Sequence, residues 1–287
     1  MPELPEVETI RRGLEKLIDG QEITAVKVLN EKSFQANSGD VDQFLIGSKI
    51  INIRRRAKVL IIDLSTDYSL VIHLKMTGQV VVRGASNWAA GHPTESFVSV
   101  LPDRSTRVWF ELSDSRLFFN DQRKFGWVKL MPTVIIDDLP FIKKLGPEPL
   151  IGDPTDEFLK RISRRKNTTI KAAILDQSII AGIGNIYADE ALWLAKIHPA
   201  TRVKDLTKKQ LTEILKSAIN VMTKSINSGG STMKNYIKAD GSKGNYLDKF
   251  ANVFRREGKP CPRCGTTIEK IRVAGRGTHI CPHCQLL

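Results

Sequence analysis

All four cysteines of the chain lie in its last 27 residues, as Cys261-Pro-Arg-Cys264 and Cys281-Pro-His-Cys284. Two C-x-x-C knuckles separated by sixteen residues can present two thiolates each to one ion and close a tetrahedron around it. A small segment that cannot bury its own core then has a reason to fold. The spacing predicts one structural zinc; a redox pair or an iron cluster is the competing use. His279 and His283 lie close enough in sequence to substitute as ligands, but the four thiolates already fill the shell. Between the knuckles, Ile268–Ile280 reads as a hairpin with Gly275-Arg276-Gly277 at its tip. With no cysteine elsewhere, the pattern is that of an intracellular protein with one metal module rather than a disulfide-stapled one.

The remaining 260 residues change period twice. Residues 6–18 are amphipathic, with Val7, Ile10, Leu14 and Leu17 on one face and Arg11, Arg12, Glu15 and Lys16 on the other, and Gly20 ends the helix. Eight short β-rich runs follow between residues 23 and 131, which predicts a β-sandwich or flattened barrel with the N-terminal helix packed on it. The polar stretch 84–104, containing Gly and Pro, reads as a mobile loop. Five of thirteen prolines fall in 132–154, so 133–154 reads as a linker. Helical periodicity then resumes at 155–164, 169–175, 186–195 and 207–228, and the polar segment 231–249 reads as a loop. The expected organisation is α+β and multidomain: a sandwich domain 1–132, the linker, a helical domain 155–250, and the zinc hairpin 251–287.

Lys and Arg number 44 against 31 Asp and Glu, a net +13, which points to a polyanionic partner. No apolar run approaches the roughly 20 residues that span a bilayer, and no signal peptide opens the chain, so nucleic acid in the cytoplasm is favoured over a membrane surface. The chain begins Met1-Pro2-Glu3-Leu4-Pro5-Glu6. Removal of Met1 would leave a secondary amine at Pro2. Such an amine can attack a sugar aldehyde carbon and form an iminium that acidifies the neighbouring C–H, with Glu3 and Glu6 as proton carriers. The same residues also suit plain helix capping.

Other stretches carry two readings each. Ala181-Gly-Ile-Gly184-Asn185 is a glycine turn opening a helix, with Asn185 of N-cap type: either a phosphate cradle or an interhelical turn. Lys166 and Lys171 upstream supply charge to it or belong to a solvated face. Asn120-Asp-Gln-Arg123-Lys-Phe125-Gly126 is a polar turn whose Arg123 and Phe125 can fill the gap left by an extruded base, together with Met76; Phe125 and Met76 can equally be core. Lys58, after the basic run Arg54–Arg56, is a phosphate contact or a surface lysine. Arg276 is a phosphate contact or a solvated tip residue.

Taken together, MPELPEVETIRRGL, RRRAKVLII, HLKMTGQ, NDQRKFG, LGPEPL, the stretch from IKAAILD to AKIHP, GGST and the cysteine module occur in an order that resembles the bacterial formamidopyrimidine-DNA glycosylases over nearly the whole chain. Leu4 favours this branch over the endonuclease VIII relatives. The resemblance implies an N-terminal β-sandwich, a helix-two-turns-helix domain and a zinc finger, with double-stranded DNA bound in the cleft between them by a monomer, and bacterial nucleoid DNA as its place of use. It implies excision of oxidised purines with Pro2 as nucleophile on C1′, Glu3 as proton donor, Lys58 in β-elimination and Arg276 in δ-elimination. Met76, Arg123 and Phe125 resemble the void-filling set, and Lys166, Asn185 and Arg276 the phosphate contacts. The loop 231–246 resembles the one covering the flipped base. The chain departs from the pattern at Ser105, where a DNA-contacting His is common, in the longer 84–102 segment, and at Asn252-Val-Phe-Arg-Arg256. A preference for oxidised pyrimidines and a non-catalytic lesion binder are the alternatives; an amine at the extreme terminus argues against the second.

Overall fold

The computed structural model describes residues 2–230 and 251–287. The expectations for Met1 and for the loop 231–249 fall outside the described residues. The chain divides into two compact units, Met1–Lys143 with Gly229–Gly244, and Lys144–Ser228 with Asn245–Leu287.

In the first unit, α1 (Leu4–Ile18) is followed by two five-stranded sheets. One has the order β1 (Ile23–Val28), β8 (Thr106–Leu112), β9 (Ser115–Asp121), β6 (Gly78–Gly84), β7 (Trp88–Gly91). The other has β2 (Phe34–Gln35), β10 (Trp127–Pro132), β5 (Tyr68–His73), β4 (Val59–Leu64), β3 (Ile50–Arg56). Every pairing is antiparallel except β10 with β2. Alternation along the strands sends Leu60, Ile62 and Leu64, and from the other sheet Leu117 and Phe119, into one core. Val7, Ile10, Leu14 and Ile18 of α1 fill the same core with no exposed surface.

Both sheets are also covered on a second face, which the sequence pattern did not predict. Residues 84–104, expected to be a mobile loop, contain β7, which pairs with β6, and Phe97, which packs with Val81, Ala89 and Phe118. The linker expected at 133–154 is divided. Its first part forms a 3-10 turn (Thr133–Asp138) and α2 (Pro140–Lys143), whose Ile136 and Ile142 cover Val59, Ile61 and Val71. Double coverage explains why β4 is buried at all six residues, apolar except for Asp63.

The second unit holds α3 (Thr155–Ile162), α4 (Ile170–Leu175), α5 (Asn185–Leu194) and α6 (Lys208–Asn227), then the hairpin β11 (Glu269–Val273) and β12 (Arg276–Ile280). Helix α5 is central, buried from Tyr187 to Trp193. Thr207 and Gln210 form a capping box at the start of α6, with Thr207 N donating to Gln210 Oε1 at 2.9 Å and Gln210 N to Thr207 Oγ1 at 3.2 Å. The turn of the hairpin is Ala274-Gly275, both left-handed, so Arg276 is not at the apex as expected. It opens β12 opposite Val273.

One contact fixes how α1 sits in the sandwich. Gly13 lies under the indole of Trp88, and a Cβ there would overlap the Trp88 ring. In an open helix Ala would be favoured over Gly by about 1 kcal/mol. Here overpacking should outweigh that, so Gly13→Ala should lose about 1–3 kcal/mol in thermal unfolding. A Tm at or above that of the parent would show that Trp88 can move aside.

Candidate functional site

The N-terminal residues are held by α1. Glu3 is its N-cap in extended conformation, and its backbone N–H donates to Glu6 Oε2 at 2.9 Å, closing a capping box. Pro2 is buried and Glu3 is 3 % exposed, so the first residues are packed rather than frayed. Helix α1 is tied down by Glu8, which accepts from Arg12 Nε (2.8 Å), Arg11 Nε (3.2 Å) and Arg55 Nε of β3 (3.2 Å). Burial pushes the Glu8 carboxyl up, but these guanidinium groups outweigh it and hold it below its ordinary range.

Lys58 occupies the two-residue turn between β3 and β4, after Ala57 in left-handed conformation (φ 53°). It is 8 % exposed, which removes the surface-lysine reading. His73 ends β5 opposite Val59, the residue after Lys58. Burial, then the charges of Lys75 and Lys58, hold its imidazole at about 3. Its Nδ1 accepts from Lys75 N at 3.0 Å, so the neutral ring carries its proton on Nε2. A neutral donor next to a buried lysine was not expected from the sequence, where His73 sits in an ordinary strand.

Met76 and Phe125 are exposed, 41 % and 54 %, so neither is core. The Arg123 guanidinium lies 4.8 Å from the Phe125 ring centroid. Their two turns are joined by Asp121, which is fully buried. Its Oδ1 accepts from Thr77 Oγ1 and from Arg123 N (3.2 Å), and its Oδ2 accepts from Gly126 N at 2.6 Å. Thr77 Oγ1 also accepts from Arg123 N at 3.1 Å. One carboxylate therefore sets the Met76 turn against the Arg123–Phe125 turn. Backbone strain gathers here: Lys75 (φ 50°) precedes Met76, and Lys124 (φ 59°) separates Arg123 from Phe125.

Ser105 is used internally. It is buried, and its N and Oγ both donate to Asp103 Oδ1 at 2.7 Å, tying down the end of the 84–104 excursion.

In the second unit Lys166 is exposed after α3, and its carbonyl accepts from Lys204 N at 3.0 Å. Gly184, not Asn185, is the N-cap of α5. Asn185 is its first residue, and Nδ2 donates to Gly277 O at 3.0 Å, which places Asn185 beside the exposed Arg276 of β12. Lys171, expected on a charged or solvated face, is fully buried. Its ammonium donates to Asp189 Oδ1 (2.6 Å), Thr278 Oγ1 (2.7 Å) and Gly277 O (3.1 Å). Asp189 Oδ2 accepts from His279 N at 2.9 Å and lies 3.1 Å from His279 Nδ1. Glu190 accepts from the backbone N–H of Asn252, Val253 and Phe254 at 2.9–3.0 Å. The signal for this pair was the Asp189-Glu190 step inside an otherwise apolar helix.

Sγ atoms of Cys261, Cys264, Cys281 and Cys284 all lie within 4.8 Å of one another. Cys264 Sγ is 3.4 Å from Cys281 Sγ and 3.5 Å from Cys284 Sγ. A zinc–thiolate tetrahedron with bonds of about 2.3 Å has edges of roughly 3.8 Å, so the donor set fits the ion and no disulfide is present. His279 turns to Asp189 and is not a ligand.

Three family models match the chain: the formamidopyrimidine-DNA glycosylase N-terminal domain over residues 1–128, the formamidopyrimidine-DNA glycosylase H2TH domain over 145–236, and a zinc finger found in FPG and IleRS over 258–286. Formamidopyrimidine-DNA glycosylases of Pediococcus pentosaceus and Pelotomaculum thermopropionicum are each 42 % identical, the first covering 100 % of both chains and the second 99 % of both. Among solved structures, Lactococcus lactis Fpg bound to DNA containing an abasic site has a TM-score of 0.86 at 35 % identity, with all of both chains covered. The same protein bound to DNA containing N7-benzyl-Fapy-dG gives the same values. One structural zinc ion is thus held by the four cysteines. Among the described residues no helix is long and apolar enough to cross a membrane.

The suppressed basicity of His73 has a consequence for acid stability. Its folded pKa of about 3 lies below the unfolded value of about 6.5. The unfolded state therefore binds the extra proton between these values, and stability rises with pH across that window. The contribution is complete above about pH 6.5 and is lost as pH falls toward 3, at up to about 1.4 kcal/mol per pH unit. His73→Gln should lose less Tm between pH 7 and pH 5 than the parent. Parallel Tm–pH curves for the two proteins would remove His73 from the account.

Proposed function

The chain belongs to the formamidopyrimidine-DNA glycosylase family, and from that membership we propose how its own residues act. It is a base-excision-repair DNA glycosylase for oxidised purines with lyase activity, acting on double-stranded DNA. We place this activity in the cytoplasm, on nucleoid DNA, as a monomer. The observation that carries the mechanism is the packed N-terminus: a buried Pro2 followed by the N-cap Glu3 of α1.

The nitrogen of a processed Pro2 forms the bond to C1′ as the C1′–base bond breaks and its electron pair leaves with the base, which takes up a proton. The nitrogen then loses its own proton. Glu3 donates a proton to the ring oxygen as the sugar opens, and an iminium to Pro2 results. Its positive charge acidifies the 2′ C–H. Removal of that proton, assigned to the region of Lys58, expels the 3′ phosphate in β-elimination. Loss of the 4′ proton then expels the 5′ phosphate in δ-elimination, a step assigned to Arg276, and water hydrolyses the iminium to free Pro2. Lys166 and Asn185 contact phosphates beside Arg276. Zinc plays no part in these steps; Cys261, Cys264, Cys281 and Cys284 hold it to keep the hairpin folded.

Met76, Arg123 and Phe125 replace the extruded nucleotide. Extrusion costs a few kcal/mol of unstacking, which an exposed apolar pair and a guanidinium can offset. Phe125→Ala should therefore slow excision of 8-oxoguanine from a duplex by more than it slows cleavage of a preformed abasic site. Equal losses on both substrates would count against a void-filling role.

The nucleophile is tested by borohydride reduction on an 8-oxoguanine duplex. A covalent protein–DNA adduct should form and map to the N-terminal peptide at Pro2. An N-terminal extension should abolish both adduct and excision, because an acylated proline nitrogen is not nucleophilic. Mapping to Lys58, or full excision by the extended protein, would overturn the assignment. Comparison with a thymine glycol duplex separates a purine from a pyrimidine preference.

A further inference from the structure

Seven residues other than glycine adopt left-handed φ among the described residues: Ala57, Asp67, Lys75, Lys124, Lys196, Arg255 and Ala274. Four of them stand within two residues of a site residue already assigned: Ala57 before Lys58, Lys75 before Met76, Lys124 between Arg123 and Phe125, and Ala274 before Arg276. Arg255 (φ 58°) flanks none of these, yet a long cationic residue is poorly suited to this conformation. Its strain is imposed from behind. Glu190 holds the backbone N–H groups of Asn252, Val253 and Phe254, so the chain enters Arg255 in a fixed direction.

What that direction achieves is placement. Arg255 lines a groove of about 450 Å³ with Asn185, Phe254, Glu257, Lys270, Gly277 and His279. The groove therefore runs past the amide of Asn185 and the strand that carries Arg276. Phe254 packs edge-on against His279, with ring centroids 5.0 Å apart, and the Arg255 guanidinium lies 5.8 Å from the Phe254 ring. The other charges of the groove are engaged: Glu257 Oε1 is 3.7 Å from Lys270 Nζ, and Glu257 Oε2 is 3.2 Å from His279 Nε2. Arg255 is exposed, and among the described residues no carboxylate lies within ion-pair distance of it. A guanidinium held out by a strained backbone, with five donors and no acidic partner, has the chemistry to take a phosphate.

We propose that Arg255 is a DNA-backbone contact that binds a phosphate next to the one served by Asn185 and Arg276. The proposal rests on the glycosylase reading for its ligand, and its test separates the two.

Equilibrium binding is measured to a duplex with a tetrahydrofuran abasic analogue, and to the undamaged duplex, between about 50 and about 200 mM salt. In Arg255→Gly the slope of log affinity against log salt should be shallower by about 0.9, a loss of about eightfold at 0.1 M salt. The loss should be the same on both duplexes, because a phosphate contact carries no base information. Glycine is at ease at this φ, so Tm should stay or rise. Arg255→Lys, which keeps the charge and the strain, should restore the slope. An unchanged slope and affinity within about twofold in Arg255→Gly, or a loss of binding accompanied by a fall in Tm, would overturn the proposal. Failure of the parent protein to excise 8-oxoguanine would instead defeat the glycosylase reading.

Discussion

Asp189 sits in the middle of helix α5 with no exposed surface, and both of its oxygens are engaged. One takes the ammonium of Lys171 and the other faces His279. A charge removed from water is tolerated only when its partners replace the lost solvation, and removing one partner of such a pair costs about 3–5 kcal/mol. The geometry is thereby made specific: Lys171 must reach Gly277 O and Thr278 as well, which fixes β12 against the start of α5. Asn185, Arg276 and the groove beside them inherit their positions from this pair. The next residue, Glu190, does the same for the approach to the zinc module, where burial raises its carboxyl pKa despite the backbone donors that pull it down.

The first unit repeats the device with other acids. Glu8 gathers Arg11, Arg12 and Arg55, and so keeps α1, and with it Pro2 and Glu3, on the β3 side of the sandwich. Asp121 collects the amides and hydroxyl that shape the turns bearing Met76, Arg123 and Phe125. In each case apolar packing supplies the bulk of the stability, and a buried carboxylate decides which way the working residues point.

What could be read from the sequence was local. The zinc ligands follow from spacing, α1 from its apolar stripe, and most strands from alternation, because each depends on residues near in the chain. The second covering of the sheets could not be read, because 92–104 is polar and 133–143 is too short to show a period of its own, and both become structure only against Phe118 or Val71. Lys171 looked like a charged-face residue because its partners lie 18 and more than 100 positions away. Arg276 looked like a tip residue because Gly275-Arg276-Gly277 has the composition of a turn, whereas Ala274 supplied the left-handed residue instead of Gly277. The strained conformations at Lys75 and Lys124 had no sequence signal, since glycine is the residue that ordinarily marks them, whereas Arg255 lay in a stretch already noted as departing from the family pattern.

Withdrawing acids into the interior also changes how the molecule looks from outside. Glu3, Glu8, Asp40, Asp63, Asp121, Glu148, Asp189 and Glu190 are buried, against Lys58, Arg107 and Lys171 among the bases. Among the described residues the interior therefore withdraws more acids than bases from solvent. At distances beyond the Debye length of about 10 Å little of the field of such a surface survives at 0.1 M salt, so it acts only close to a duplex. The carboxylates that orient the site thus also make the surface more basic, and a basic surface holds a polyanion through phosphate charge without reading its sequence.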